Sequence, residues 1–248
     1  MFLATHGILR SGGSEAIPYS NQYSFEFDGS LDYLTFQNSG SVSGLSFSDD
    51  FTLSAWIKPD NVNTNQYIID SSSDGGAGNG YSFRVRNDGK IRFWSYNASS
   101  TGLNSSTVLS ANTWYHIACV HTSGMNRIYI NGSLDATKTF SSGHSQTNTA
   151  TFRIGNSQLI SSGSNYFNGN IDEVALYDVD MSSSISTIYN SGTPFDLNTL
   201  SDTPVSYYRM GELSSYSNNW VIQDNGQQSN TLESVSMGTN ARTSDVPA

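Results

Sequence analysis

The segment Tyr81–Tyr96 reads YSFRVRNDGKIRFWSY. Apolar and polar side chains alternate through Tyr81–Arg86 and again through Lys90–Tyr96, with Asn87-Asp88-Gly89 between them. A three-residue turn with a left-handed glycine at Gly89 is a common way to close a β-hairpin. That register sets Arg86 opposite Lys90 and Arg84 opposite Arg92. One face then collects Tyr81, Phe83, Val85, Ile91 and Phe93. The other holds Ser82, Arg84, Arg86, Lys90, Arg92, Trp94 and Tyr96. A two-residue turn would scatter the apolar residues over both faces, because a one-residue slip sends every side chain to the opposite side. The segregation predicts a strand pair with one face on a core and one face turned outward.

Working outward, short strand-like runs recur between clusters of Gly, Asn, Asp and Ser: Tyr23–Phe27, Tyr33–Phe36, Phe51–Lys58, Tyr67–Asp70, Trp114–Thr122, Asn126–Ile130, Thr151–Ile154 and Ile171–Tyr177. Asn131-Gly132 marks a second, tighter turn. Many short strands at this spacing predict an all-β antiparallel sandwich of the jelly-roll type. One short helix is expected over Ser183–Asn190, capped by Ser182 and stopped at Gly192, with Ile185, Ile188 and Tyr189 on one face. Residues 1–22 read as an N-terminal arm, 23–195 as the sandwich and 196–248 as a C-terminal extension. Val205–Met210 and Trp220–Ile222 in that extension are candidate edge strands packing on the sandwich.

Composition narrows the function. Charged residues make up 13% of the 248, below the ~25% of an average domain, so Ser, Thr, Asn and Gly must supply the polar surface. The formal net charge of −10 repels a phosphate backbone and argues against nucleic acid as partner. Cys119 is the single cysteine, so an intrachain disulfide framework is excluded. No apolar run reaches the ~18 residues of a membrane span. The opening MFLATHGILR lacks a basic start and its apolar run is broken at Thr5-His6-Gly7, so it reads as mature chain rather than as a secretory signal. The N-x-Ser triplets at Asn97, Asn104 and Asn131 then read as chance matches in a Ser- and Asn-rich chain.

Five pieces in order carry a family resemblance: YSFEFDGSLDYLTF (Tyr23–Phe36), FTLSAWIKPD (Phe51–Asp60), TWYHIACVHTSGMNRIYINGSLDA (Thr113–Ala136), FRIGN (Phe152–Asn156) and FNGNIDEVALYDVDMSSSISTIYNSG (Phe167–Gly192). Together they resemble laminin-G-like domains of the concanavalin A-like lectin/glucanase superfamily. The resemblance implies two stacked antiparallel sheets with ligand sites on loops or on a concave sheet. It also implies a structural Ca²⁺ near the first strand and the Ile-Asp-Glu strand, where Asp28 and Asp172 are the matching positions. A further stretch, YYRMGELSSYSNNWVIQDNGQQSN (Tyr207–Asn230), is similar to segments flanking such modules in virion proteins of tailed bacteriophages, and ATHGILRS (Ala4–Ser11) has the same character. This second resemblance implies a place on a virion surface, as a capsid decoration or tail component, among other virion proteins or copies of itself.

Candidate chemistry is sparse. Glycosidases of the superfamily carry a Glu-x-Asp-x-x-Glu strand, which is missing, and only Glu15, Glu26, Glu173, Glu212 and Glu233 are present. Asp172 and Glu173 are adjacent, so on a regular strand they would face opposite ways. A retaining hydrolase needs carboxyls ~5 Å apart, and none is expected here. His116 and His121 also fall on opposite faces. Cys119 shares a face with His121, and its expected role is that of a small buried residue. The strongest candidate site is the polar hairpin face. Sugar C–H faces stack on aromatic rings, and guanidinium forks bind carboxylate or sulfate. Arg84, Arg86, Arg92, Trp94 and Tyr96 are therefore the expected glycan-binding residues of a non-catalytic adhesion module. The small-residue loops at Ser71–Gly80, Asn97–Asn104 and Ser141–Asn148 could add rim contacts.

Overall fold

The computed structural model describes residues 19–36, 44–72, 80–95, 101–139, 151–157 and 165–248. In chain order its strands are β1 (Ser24–Asp28), β2 (Tyr33–Phe36), β3 (Phe51–Pro59), β4 (Gln66–Ser72), β5 (Gly80–Val85), β6 (Lys90–Ser95), β7 (Thr101–Val108), β8 (Tyr115–Thr122), β9 (Met125–Ile130), β10 (Ser133–Thr139), β11 (Arg153–Ile154) and β12 (Asn168–Tyr177). Helix α1 (Ile185–Tyr189) follows, then β13 (Ser206–Tyr208), β14 (Ser214–Tyr216), β15 (Trp220–Ile222), β16 (Leu232–Val235) and β17 (Arg242–Thr243).

These strands build the two antiparallel sheets of a sandwich, as the alternating patterns predict. The first sheet runs β10-β9-β8-β3-β12-β1-β17, with β13 also on β12. The second runs β14-β15-β16-β2-β11-β4-β5-β6-β7. Between them lies one apolar core containing Phe25, Phe27, Phe51, Phe83, Phe93, Phe152 and Phe167, all fully buried. Each such side chain contributes ~1.5–3 kcal/mol by leaving water. Phe51 stacks on Phe47 at 5.1 Å and meets Phe93 edge-on at 6.1 Å, joining the sheets through ring contacts.

The β5–β6 hairpin closes in the expected register, with Arg84 opposite Arg92 and the Arg86 N–H donating to Lys90 O at 2.8 Å. Gly89 takes φ +73°, as its turn requires. Tyr81, Phe83, Val85, Ile91 and Phe93 are all fully buried.

Strands β14, β16 and β17 escaped the sequence pattern, and so did the two longer strands β7 and β10. Their residues are Ser-, Thr- and Asn-rich, and β10 is largely exposed. They lie at the same side of the two sheets, where the Asp135 carboxylate accepts from the backbone N–H of Thr107 at 3.1 Å. The helix begins later than expected. Ser184 occupies the N-cap, while the Ser182 N–H is taken by the Asp180 side chain at 2.8 Å. Asn190, in the left-handed region at φ 46°, ends the helix ahead of Gly192.

A second apolar cluster covers the outer face of the first sheet. Ala118, Val120, Ala175 and Tyr177 from the strands pack against Met181, Ile185, Ile188, Leu197 and Tyr207. Trp56 belongs to this outer layer, stacked on Tyr189 at 5.7 Å, and is not part of the central core. Trp114 is also outside the core, and its indole N–H donates to Asp245 at 2.8 Å. The chain after residue 195 contributes to both sheets: β13 and β17 to the first, β14, β15 and β16 to the second. Among the described residues, no helix is long and apolar enough to cross a membrane.

Candidate functional site

Two places in the sandwich gather chemistry. The first is the outer face of the second sheet. Because paired residues share a face, the register aligns Tyr67, Arg84, Arg92 and Asn104 in one lateral row. A neighbouring row runs Glu233, Thr35, Arg153, Asp70, Ser82, Trp94 and Gly102. Three arginines lie against aromatic rings on this face. The guanidinium carbon of Arg84 is 5.1 Å from the Tyr67 ring centroid, that of Arg92 is 4.5 Å from Trp94, and that of Arg153 is 4.6 Å from Tyr33. Such pairs place each guanidinium against a ring face, to which its charge is attracted. Arg84 uses Nη1 to donate to the Tyr67 hydroxyl at 2.9 Å.

Room for the central pair comes from Gly102. A Cβ there would lie 2.6 Å from Trp94 Nε1 and 2.7 Å from Arg92 Nη2. Arg84, Arg92, Trp94, Arg153 and Tyr33 are all half-buried. Asp70 is wholly buried between them and accepts from Ser72 Oγ at 2.7 Å and Ser157 Oγ at 3.0 Å. Arg84, Arg86, Lys90, Arg92 and Arg153 are five of the 11 Lys and Arg in the chain, so an acidic protein concentrates its cations here.

The structure brings Arg84, Arg92 and Trp94 together as the sequence predicts. Arg86 stands apart at the turn and pairs with Asp88 at 3.2 Å. Tyr96 and most of the three small-residue loops lie outside the described residues, although residues 101–104 begin β7 rather than extend a loop. Tyr33, Tyr67 and Arg153 were missed because they come from other strands; only the outward phase of each strand hinted at them.

The second place is a buried carboxylate cluster under the C-terminal extension. Asp172 and Glu173 do not face opposite ways. A β-bulge interrupts the β12–β3 register between Asp172 and Ala175, and Glu173 takes φ +47°. The inserted residue swings Glu173 to the side of Asp172. With Glu212 they offer carboxylate oxygens within 4.8 Å of one another. Asp172 is fully buried and Glu173 2% exposed. Burial, with Glu212 close by, pushes the Asp172 carboxyl well above its usual range. Burial also pushes Glu173 up to about 7, against hydrogen bonding from Tyr207 and the charge of Arg209. Arg209 Nε is 3.5 Å from Glu173 Oε1, and Glu212 Oε1 accepts from the backbone N–H of Tyr23 at 2.9 Å.

Asp28 does not join Asp172. It pairs with Asn168 on β12, four residues along, or ~13 Å at strand spacing. Its Oδ1 instead closes the following turn, accepting from Ser30 N at 2.8 Å and Leu31 N at 3.3 Å. It borders an acidic cleft of about 220 Å³ with Glu26 and Asp32, whose carboxyl burial pushes up. The pairing of Asp28 with Asn168 therefore keeps Asp28 and Asp172, the two residues expected to share a calcium ion, apart.

The histidines separate as expected. His121 lies on the inner side, stacked on Phe51, and its ring contacts Asn126 at 2.8 Å. His116 faces the outer layer, with Nε2 2.8 Å from Ser54 Oγ. Burial drives its pKa down to about 3. This Ser–His contact resembles a nucleophile and its base, but both residues are sealed beneath Ile188, Pro194 and Phe195. Cys119 is buried in the core, where desolvation pushes its thiol up and away from the reactive thiolate.

Fold and composition define a lectin-like sandwich. Residues 20–184 match the Laminin_G_3 model, described as the concanavalin A-like lectin/glucanases superfamily, and the chain belongs to that family. Among solved structures, it is similar to a Bacteroides ovatus ATCC 8483 protein provisionally named as carbohydrate binding, at TM-score 0.69 and 20% identity over 93% of this chain and 62% of that one. The chain therefore spans less than two thirds of that protein. It is also similar to the CBM40 module of the Ruminococcus gnavus IT-sialidase, solved bound to α2,3-sialyllactose, at TM-score 0.56 and 13% identity, covering 67% of this chain and 95% of that module. No curated protein sequence matches the chain.

Proposed function

We propose that this protein is a non-catalytic carbohydrate-binding module that grips an anionic glycan on the outer face of its second sheet. One observation carries the reading: three arginine–aromatic pairs, Arg84/Tyr67, Arg92/Trp94 and Arg153/Tyr33, share that face. An aromatic ring supplies a platform for sugar C–H groups, and a flat guanidinium beside it supplies paired donors for carboxylate or sulfate. On the first sheet, part of the outer face is covered by helix α1 and the tail, around Ala118, Val120, Ala175 and Tyr177. The similarity to carbohydrate-binding folds agrees with this reading at the level of architecture, and the residues are argued from this chain alone.

The setting we propose is a virion surface, as a capsid decoration or tail component that contacts host glycans. The likeness of Tyr207–Asn230 and Ala4–Ser11 to virion-protein segments supports it. The pairing of residues after 195 into both sheets favours a binding role over a purely structural one, since those residues are used to complete the sandwich rather than held out as an assembly arm.

The test is a glycan array with the full chain, followed by titration of the best glycan. Saturable binding to acidic glycans, lost in the double variant Arg92→Ala/Trp94→Ala with its melting temperature unchanged, is the expected result. Unchanged affinity in that variant would remove the site from this face. Co-purification with particles tests the virion setting separately.

A further inference from the structure

The outer face of the second sheet holds two cationic stations, and their spacing selects among anionic glycans. Along the order β11-β4-β5-β6, Arg153 pairs with Asp70, Asp70 with Ser82, and Ser82 with Trp94. Arg84 lies two residues beyond Ser82 on β5, directly opposite Arg92 on β6. Arg84 and Arg92 are therefore neighbours, one strand spacing or ~5 Å apart. Arg153 is two strands from Arg84 and three from Arg92. With the two-residue offset along the strands, those separations are ~12 Å and ~16 Å between Cα atoms. Each station carries its own rings: Tyr67 and Trp94 at the first, Tyr33 at the second, with Tyr166 6.5 Å from Tyr33. The ground between them is of the opposite kind. Asp70 stands on the row between Arg153 and Ser82, and both its carboxylate oxygens accept hydroxyl hydrogen bonds, Oδ1 from Ser72 and Oδ2 from Ser157. Glu233, two strands beyond Arg153 on the same row, ends the cationic strip on that side.

Resting on the proposal that this face holds the glycan, we infer that its ligand is a stretch of at least three sugars from a polysaccharide in which acidic and neutral sugars alternate. The chain lies across the strands, with one acid at Arg84 and Arg92 and the next at Arg153. A pyranose ring is about as wide as one strand spacing, so a single acidic sugar reaches one station only. Acids on adjacent rings fall short of the second station. One neutral ring between two acids brings their spacing close to the ~12 Å of the nearer arginines, and the guanidinium forks supply the remaining reach. The neutral ring then lies over Asp70, where a third acid would meet a like charge. Once the first acid is held, the second binds within the same complex, so affinity rises with chain length.

The full chain is titrated calorimetrically with di-, tetra- and hexasaccharides of hyaluronan and of unsulfated chondroitin, two polymers that alternate glucuronate with a neutral sugar. Oligogalacturonates, acidic at every ring, form the comparison. We expect the tetrasaccharide of an alternating series to bind about tenfold tighter than its disaccharide, with little further gain at the hexasaccharide, and tighter than tetragalacturonate. Arg153→Gln should erase the gain from di- to tetrasaccharide and leave disaccharide binding intact, with the melting temperature unchanged. If Arg153→Gln does not fold, the wild-type length series decides. Equal affinity for di- and tetrasaccharide in both alternating series overturns the inference, and so does a preference for oligogalacturonate. Either result leaves the glycan site standing, provided that Arg92→Ala/Trp94→Ala abolishes the binding seen. Binding that survives in that double variant, or no binding to any acidic glycan, overturns the site and the inference together.

Discussion

The guanidinium carbon of Arg92 lies over the Trp94 ring, 4.5 Å from the indole centroid, and the pair rests over Gly102 of the adjoining strand. Neither residue is adjacent to that glycine in sequence. The antiparallel pairing of β6 with β7 puts Trp94 opposite Gly102.

Gly102→Val should therefore disturb the face without touching the core. A side chain there starts 2.6 Å from Trp94 Nε1, so both flexible side chains must move. We expect glycan affinity to fall about tenfold, the order of the ~1.4 kcal/mol that one decade represents. Circular dichroism should stay that of the wild type. Full affinity in this variant would mean that the stacked geometry is irrelevant to binding.

Charge alone should not suffice. Arg92→Lys keeps the positive charge but loses the planar, multi-donor guanidinium that lies over the Trp94 ring. Affinity for a carboxylated or sulfated glycan should fall well below that of the wild type, yet stay above that of Arg92→Ala. Titration of all three proteins at one ionic strength checks the order.

His116 should make stability pH-dependent. Burial holds its pKa near 3, whereas the unfolded imidazole titrates near ~6.5. Between these values the unfolded chain binds more protons, so stability is fully present above the upper value and is lost as pH falls toward the lower. His116→Gln removes that group. Urea unfolding from pH 7 down to pH 4 should show wild-type stability falling faster than the variant's, by up to ~1.4 kcal/mol per pH unit. Equal slopes would show that the imidazole accepts its proton without penalty. His121, whose pKa burial also lowers, is present in both proteins and drops out of the difference.

Asp245 clasps the C-terminus. Burial alone would raise its carboxyl, but hydrogen bonds from Lys58 and Trp114 outweigh it and hold the group below the usual range. The pair with Lys58 is partly exposed, with side chains 22% and 42% accessible, so solvent screens it. Asp245→Ala should cost no more than ~1 kcal/mol of global stability. The local effect should be larger: hydrogen exchange in β17 and beyond should speed up while β3 and β12 stay protected.

Much of the sandwich was legible in the chain. Alternation in Tyr81–Tyr96 gave the hairpin, its turn and its register, because a half-buried strand must segregate its faces and only one turn length achieves that here. Phe51–Lys58 and Trp114–Thr122 were visible for the same reason. β7 and β10 were not. Edge strands with wet faces have no apolar rhythm to show, and their pairing is enforced by neighbours distant in sequence.

The sites divide along the same line. Sequence by itself determined the composition of the hairpin face: Arg84, Arg92 and Trp94 had to share a side once the register was fixed, since side-chain direction alternates with every residue. Tertiary structure alone decided the rest. It brought Tyr33, Tyr67 and Arg153 to that face by pairing strands from distant segments. It also turned Asp172 and Glu173 to one side, against the alternation their adjacency implied. A β-bulge breaks the period of two, and nothing local in IDEVALY announces it. Glu212 reaches the pair only because β13 docks on β12, a contact chosen by packing of the whole chain rather than by any residue near it.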